Sequence, residues 1–246
     1  MRLDACTWGE VENYLVRSNG ILIPTGSTEQ HGPMGLIGTD AICAERIAEG
    51  AADVAQALVA PTLAYTPAPF NMGFPGTISL STETFRTMAE EILSGLASHG
   101  FRHLYVLNGH GANLAPLQQA ANVVQGAEAR IRSWWDFPAV NALREEYYGD
   151  WEGMHATPSE VAITQHTHRV VPPGDAATPP KKLSRDYMAA HAGDRHGPPE
   201  DHRRDFPDGR VGSHSALATP EQGKALLQTA IASVAEDFEQ WTKGEA

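Results

Sequence analysis

The stretch PTGSTEQHGPMGLIGTD, Pro24 to Asp40, places a carboxylate at Glu29, an imidazole at His31 and a second carboxylate at Asp40, just after the apolar run Ile21 to Ile23. Three such groups can be a metal site, an acid–base pair or ordinary loop polarity. Two further clusters carry related chemistry. NGHGAN, Asn108 to Asn113, sets His110 between two glycines, and GMHATPSE, Gly153 to Glu160, holds His155 and Glu160. Each has a plainer explanation alone: loop polarity for Glu29 and His31, a backbone hydrogen bond in a tight turn for His110, a capping or surface role for His155. Glu160 falls in the first turn of an expected helix, where the helix dipole favours a carboxylate in any case.

Together, His31, His110, Glu29, Asp40 and Glu160 are two imidazoles and three carboxylates, the ligand mix of Zn²⁺ or Mn²⁺, with Fe²⁺ as a further candidate. Five ligands exceed one tetrahedral site and suit two ions if one carboxylate bridges. Two ions a few ångströms apart can hold a hydroxide and polarise a carbonyl, so the chemistry implied is hydrolysis.

Convergence requires elements that deliver these loops to one place. ILIPT reads as a buried strand, and TDAICAERIAEGAADVAQAL, from Thr39, as a helix with Ile42, Ile47, Ala51, Val54 and Leu58 on its apolar side. Residues 57–65 read as a second strand. STETFRTMAEEILSGLASHG reads as a helix with a stripe of Phe85, Met88, Ile92 and Leu96, stopped by Gly100. HLYVLN (103–108) is a third strand, followed by a helix in NLAPLQQAANVVQGA, and ARIRSWW (129–135) is a fourth. A helix starts at Thr157 with Pro158 in its first turn, and a last one at Thr219, where Gln222 can close a capping box and Leu227, Ile231, Val234, Phe238 and Trp241 share one side. Strands alternating with helices predict an α/β fold with a mostly parallel sheet. Ligands of such sheets bind at the carboxyl ends of the strands, where all three polar clusters fall. The segment 172–210, rich in Pro, charge and His, reads as an excursion or lid with one short helix, on a single domain spanning 1–246.

Composition narrows the partners. A net charge of −12 over 246 residues argues against a nucleic-acid partner. Two cysteines, Cys6 and Cys43, exclude a disulfide framework and a Cys-based zinc motif. No run approaches the roughly 18 apolar residues of a membrane span, and the N-terminal residues lack a signal-peptide core. The expectation is a cytoplasmic protein acting on a small molecule.

PTGSTEQHGPMGLIGTD, FPGTISLS, NGHGAN, HATPSEVA and GRVGSHSALATPEQG, in that order from about residue 20 to 230, resemble the creatininase (creatinine amidohydrolase) family. The resemblance implies a three-layer α/β/α fold, homohexamers and two divalent metal ions per chain, usually Zn or Mn, with Fe in some branches. It also implies cleavage of amide C–N bonds in substrates such as a cyclic amide, a formamide or a peptide. Carried over by position, Glu29 and His110 would bind one metal, His31 the other and Asp40 both. His155 matches a histidine that passes a proton to the leaving nitrogen, and Glu160 is assigned to the second metal. Pro75, Gly76, Thr77 and Asn113 are candidate substrate-orienting groups. There are departures. A ligand carboxylate of creatininase two residues past the NGH histidine is Ala112 here, the usual Gly-x-x of the family's HAGxxET block is Thr157-Pro158-Ser159, and Val161 replaces its Thr. Trp134, Trp135 and Trp151 are only near the positions of the tryptophans that pack on creatinine, so the resemblance carries over the amidohydrolase chemistry and not the name of the substrate. Two other readings stay open: a metal-binding member without turnover, and an isomerase moving a proton with one metal.

Overall fold

Four short runs pair side by side as a parallel sheet, β1 (Gly20–Thr25), β2 (Leu58–Val59), β3 (His103–Asn108) and β4 (Glu128–Ser133), in the order β2-β1-β3-β4. The structure is a computed structural model that describes residues 1–193 and 196–244. The helices are α1 (Trp8–Arg17), α2 (Thr39–Ala55), α3 (Thr82–Ser98), α4 (Leu114–Val123), α5 (Pro138–Tyr147), α6 (Pro158–Thr167), α7 (Arg185–His191), α8 (Pro199–Asp205) and α9 (Pro220–Lys243).

The period-2 geometry of a strand sorts the side chains into two cores. Leu22, Tyr105 and Leu107 face one side and pack with Ile47 and Ala51 of α2, Val161 and Ile163 of α6, and Val234 and Phe238 of α9. Ile21, Ile23, Leu104 and Val106 face the other, against Tyr14 of α1, Phe85, Ala89 and Leu93 of α3, and Leu117 of α4. Helices therefore cover both faces, the three-layer α/β/α arrangement expected. β1 and β3 are buried along almost their whole length, which is why they read as continuous apolar runs.

Several elements differ from expectation. Only Leu58–Val59 of the run 57–65 pairs as a strand, because Pro61 cannot donate to a ladder; Leu63 forms an isolated bridge to Thr25. The buried row of α3 is Phe85, Ala89, Leu93 and Ala97 rather than the row of larger side chains beside it, since alanines let the helix approach the sheet. Val54 is exposed and Leu58 lies in β2, so α2 buries Cys43, Ala44, Ile47, Ala48, Ala51 and Ala52 instead. α1 and α5 were not anticipated, and the segment 172–210 carries two short helices, α7 and α8, where one was expected. α6 and α9 start where their capping residues place them: Thr157 with Glu160, and Thr219 with Gln222, both form complete capping boxes.

Candidate metal centre and active site

The chain leaves β1 toward α2 on one face and leaves β3 toward α4 on the opposite face. Neighbouring parallel strands whose exits part in this way leave a crevice at their carboxyl ends, the usual ligand position in such sheets. The loop carrying Glu29 and His31 follows β1, and His110 follows β3. The N-terminus of α2 lies directly across both exits. A Cβ on Gly26 would meet the Asp40–Ala41 backbone at 2.2–2.5 Å, and one on Gly109 would meet the Asp40 carbonyl oxygen at 2.5 Å. Glycine at both positions is what lets the helix sit there and lower Asp40 between the two strand ends. The N-terminal dipole of α2 favours that carboxylate.

All six residues expected to carry the chemistry are brought together and buried: Glu29, His31, Asp40, His110, His155 and Glu160. Asp40 lies between the two histidines. Its Oδ1 is 2.8 Å from His31 Nε2, and its Oδ2 is 3.1 Å from His110 Nδ1 and accepts a hydrogen bond from Ser27 Oγ at 2.8 Å. Glu29 Oε1 is 3.0 Å from His110 Nδ1 and 3.9 Å from His155 Nδ1. Glu160 Oε1 is 3.7 Å from His31 Nε2. Three sets, Glu29/Asp40/His110, His31/Asp40/Glu160 and Glu29/His31/His155, each place one donor atom per residue within 4.8 Å of one another.

The outer nitrogens of the imidazoles face carbonyl oxygens. His110 Nε2 is 2.7 Å from Pro67 O, and His31 Nδ1 is 3.1 Å from Glu29 O. A carbonyl can only accept, so each ring donates outward and turns its other nitrogen toward the carboxylates, the orientation a backbone carbonyl imposes on metal-binding histidines, in which an ion takes the place of that nitrogen's proton. Glu29 Oε1 accepts no hydrogen bond among the described residues although it is fully buried. Buried carboxylates that converge in this way need positive charge among them, and a divalent ion that displaces the ring protons supplies it, so this donor set fits a divalent ion.

Electrostatics point the same way. Burial disfavours a charge on His31, but Asp40, Glu160 and Glu29 outweigh it and raise its pKa to about 10. Burial pushes Glu160 up to about 8, against the pull of His31. Asp40 is held well below the usual carboxylate range: burial opposes its charge, and His31 and His110 overcome it. His155 is driven well below the usual imidazole value, first by burial and then by the charge of His31.

A cavity of about 160 Å³ opens onto the cluster, and its walls include Trp134, Trp135, Arg144, Met154 and His155. Trp134 and Trp135 thus line the site, whereas Trp151 packs against His214 and beneath Lys182. The residues expected to orient substrate are engaged elsewhere. Thr77 Oγ1 accepts from Gln30 N–H, a Cβ on Gly76 would lie 3.1 Å from Ile37, and Asn113 Nδ2 donates to Gly26 O and Asn108 Oδ1. They brace the loops, and none of the three is among the cavity-lining residues. Ala112 lies in the single turn Gly111–Asn113.

Sequence reasoning missed two buried amides beside the cluster. Asn71 Nδ2 donates to Glu29 Oε2 at 2.7 Å, and Gln30 Nε2 donates to Asn71 Oδ1 at 2.7 Å. Gln30 stands inside EQHG, the centre of the first motif, which was its signal; Asn71 had only its place just before FPGT.

A family model described as creatinine amidohydrolase matches residues 4–238. Creatinine amidohydrolase of Pseudomonas putida is 25% identical over 256 residues, 94% of this chain and 93% of that protein. Mycofactocin precursor peptide peptidase of Mycobacterium tuberculosis is 35% identical over 157 residues, 58% of this chain and 61% of that protein. A solved creatininase carrying a Trp-to-Phe mutation superposes with a TM-score of 0.81 at 22% identity, over 98% of both chains. A structure described as creatininase Mn gives 0.78 at 24%, again over 98% of both. At these identities the structural likeness establishes the fold, and relatives in sequence include hydrolases. With the family model matched along nearly its whole length, the chain belongs to the creatininase (creatinine amidohydrolase) family.

Proposed function

We propose that this chain is a metal-dependent amidohydrolase that cleaves a C–N bond in a small-molecule amide. Glu29 and His110 would hold one divalent ion, His31 and Glu160 a second, and Asp40 would serve both. The observation that carries the reading is the donor geometry: two of the three sets share Asp40, and the outer imidazole nitrogens of His31 and His110 face carbonyls. Zn and Mn suit this mixture of imidazole and carboxylate donors, and solved creatininases include forms described as Mn and Zn–Zn. Ions bound there supply Lewis acidity, which activates water near neutral pH and polarises an amide carbonyl.

The remaining steps belong to side chains of this chain. His155 Nε2 lies 2.7 Å from the Gln30 carbonyl and donates to it, so Nδ1 is the nitrogen that faces Glu29. Burial and the nearby His31 keep the ring neutral, ready to accept a proton at Nδ1 and deliver it to the departing nitrogen. Trp134, Trp135 and Met154 enclose the substrate and limit water. Gly76, Thr77 and Asn113 act by holding the loops that carry Glu29 and Asp40. The homohexamer and the cytoplasmic setting rest on the family resemblance and on composition; light scattering tests the first.

The test is metal content per chain in protein purified without chelator, with an amide substrate screen on wild type and His31→Ala. Two equivalents and amide turnover, both reduced in a folded His31→Ala variant, are expected; turnover undiminished by the substitution would overturn the metal assignment. Ala112 favours one rival, a member that binds metal without turnover. Metal at two equivalents with no activity on any amide would select it.

A further inference from the structure

The helix α8, in the excursion between α6 and α9, sits on the single turn Pro69–Gly73 that presents Asn71. His202 packs edge-on against Phe70 with ring centroids 5.0 Å apart, and the Arg203 guanidinium donates to the Gly73 carbonyl and lies 4.9 Å above the Phe74 ring. Phe70 in turn meets His155 edge-on at 5.9 Å. Just beyond α8 the chain returns to the site, and the Gly209 carbonyl accepts from Gln30 Nε2 at 3.1 Å. Gly209 has φ +82°, and a Cβ there would lie 2.0 Å from Gln30 Oε1, so backbone and amide are in direct apposition.

Hydrogen counting fixes the direction of this chain of contacts. Gln30 Nε2 gives its two hydrogens to Gly209 O and Asn71 Oδ1. Asn71 Nδ2 is therefore the donor toward Glu29 Oε2, at 2.7 Å. One oxygen of Glu29 is thus occupied by an amide, and Oε1 is left turned toward His110. Glu29 and Asn71 are both fully buried, so this amide has no water to replace it.

We propose that Asn71 is a positioning residue that couples the docking of α8 to the metal-ligand geometry of Glu29, so that metal binding and α8 docking stabilise one another. The proposal rests on the metal reading above. Coupling of this kind is reciprocal: a change at α8 alters metal affinity, and metal alters the exposure of α8. A side chain hydrogen-bonded to a ligating carboxylate typically contributes about 10–100-fold to metal affinity.

The test uses the full chain stripped of metal and titrated with Zn²⁺ against a fluorescent competitor chelator. Limited trypsin digestion at Arg203 and Arg204, read by mass spectrometry, follows α8. Wild type is expected to bind Zn²⁺ and to be cut more slowly at these arginines when Zn²⁺ saturates it. Asn71→Asp keeps the volume but turns a donor into an acceptor facing Glu29 Oε2. It is expected to bind at least about 10-fold more weakly and to lose the protection by metal; a role in packing alone would leave its affinity at the wild-type value. Arg203→Ala removes an exposed clamp that touches no candidate ligand, so it should fold normally, yet weaken Zn²⁺ binding by about fivefold or more. Wild type that binds Zn²⁺, with Asn71→Asp and Arg203→Ala binding equally well, overturns the coupling and leaves the metal reading standing. Wild type that binds no divalent ion overturns both.

Discussion

Between pH 6 and pH 8 the affinity of the metal-stripped protein for Zn²⁺ should rise by about 100-fold or more, because the site holds protons where ions would bind. His31 faces Asp40 Oδ1 at 2.8 Å and Glu160 Oε1 at 3.7 Å, and these buried carboxylates raise its pKa to about 10 against the cost of burying the charge. An ion that takes the Nε2 lone pair must displace that proton, so affinity gains about tenfold per pH unit below the pKa. At pH 7 the gap to about 10 corresponds to roughly 4 kcal/mol of competition from the proton. Glu160, pushed up to about 8 chiefly by burial, contributes a second displaced proton over the same interval and steepens the slope. A histidine at its ordinary pKa near 6.5 would give only about a fourfold change from pH 6 to pH 8. Competition titration at fixed ionic strength separates the two cases. A rise below about tenfold would show that Asp40 and Glu160 do not hold a proton on His31, and the proposed cation-binding geometry would fail with it. The stability of the metal-free protein carries the matching sign. A raised folded-state pKa gives stabilisation that is fully present below about pH 6.5 and is lost as pH rises through about 10, which alkaline unfolding curves can follow.

Other expectations can be measured on single variants. Glu160 Oε1 accepts from Thr157 N–H at 2.6 Å, so Glu160→Gln should keep the capping box while lowering bound metal toward one equivalent. Glu160→Ala should lose the same metal and about 1 kcal/mol of stability besides, and metal content unchanged in both would remove Glu160 from the site. His155→Asn should lower kcat by about 10²–10⁴-fold at full metal content if the ring moves the proton; loss of metal instead would make it a ligand through its set with Glu29 and His31. Ala156, between His155 and the cap of α6, has φ +57°, a left-handed conformation that costs a residue with a Cβ about 1 kcal/mol. Ala156→Gly should therefore raise the unfolding midpoint or leave it unchanged, and a clear fall would place the strain elsewhere.

The fold was most legible where one residue type decides it. β1 and β3 are apolar because both faces are covered, and the start of α9 is written in Thr219, Pro220 and Gln222. It was least legible where packing overrides pattern. The buried row of α3 runs through Ala89 and Ala97 because closeness to the sheet outweighs side-chain size, and α5 fully buries Val140 while Leu143 and Tyr147 are only partly covered. α7 and α8 sit in a run of Pro, charge and His without an apolar period, and much of α8's packing is aromatic: His202 against Phe70 and Phe206.

For the site, the sequence gives up residues that share a motif and hides those that meet only in space. Glu29, His31 and Asp40 are legible because one loop and one helix start carry them all. Asn71 comes from a turn some forty residues away and has no spacing relation to Glu29, yet its amide sets which carboxylate oxygen faces His110. The same physics bears on Ala112. A binding site at the meeting of two strand exits and two helix starts is specified by where donor atoms arrive, not by which segment sends them. Glu160 arrives from α6, its backbone fixed by the capping box, and its carboxylate comes within 3.7 Å of the ring nitrogen that also faces Asp40. A carboxylate missing from the turn after β3 therefore removes one route to the proposed second ion without removing the negative charge such an ion would require. If Glu160→Gln and the pH-dependent affinity move together, the same carboxylate accounts for both, and the count of ligands in space stands above the count in the motif.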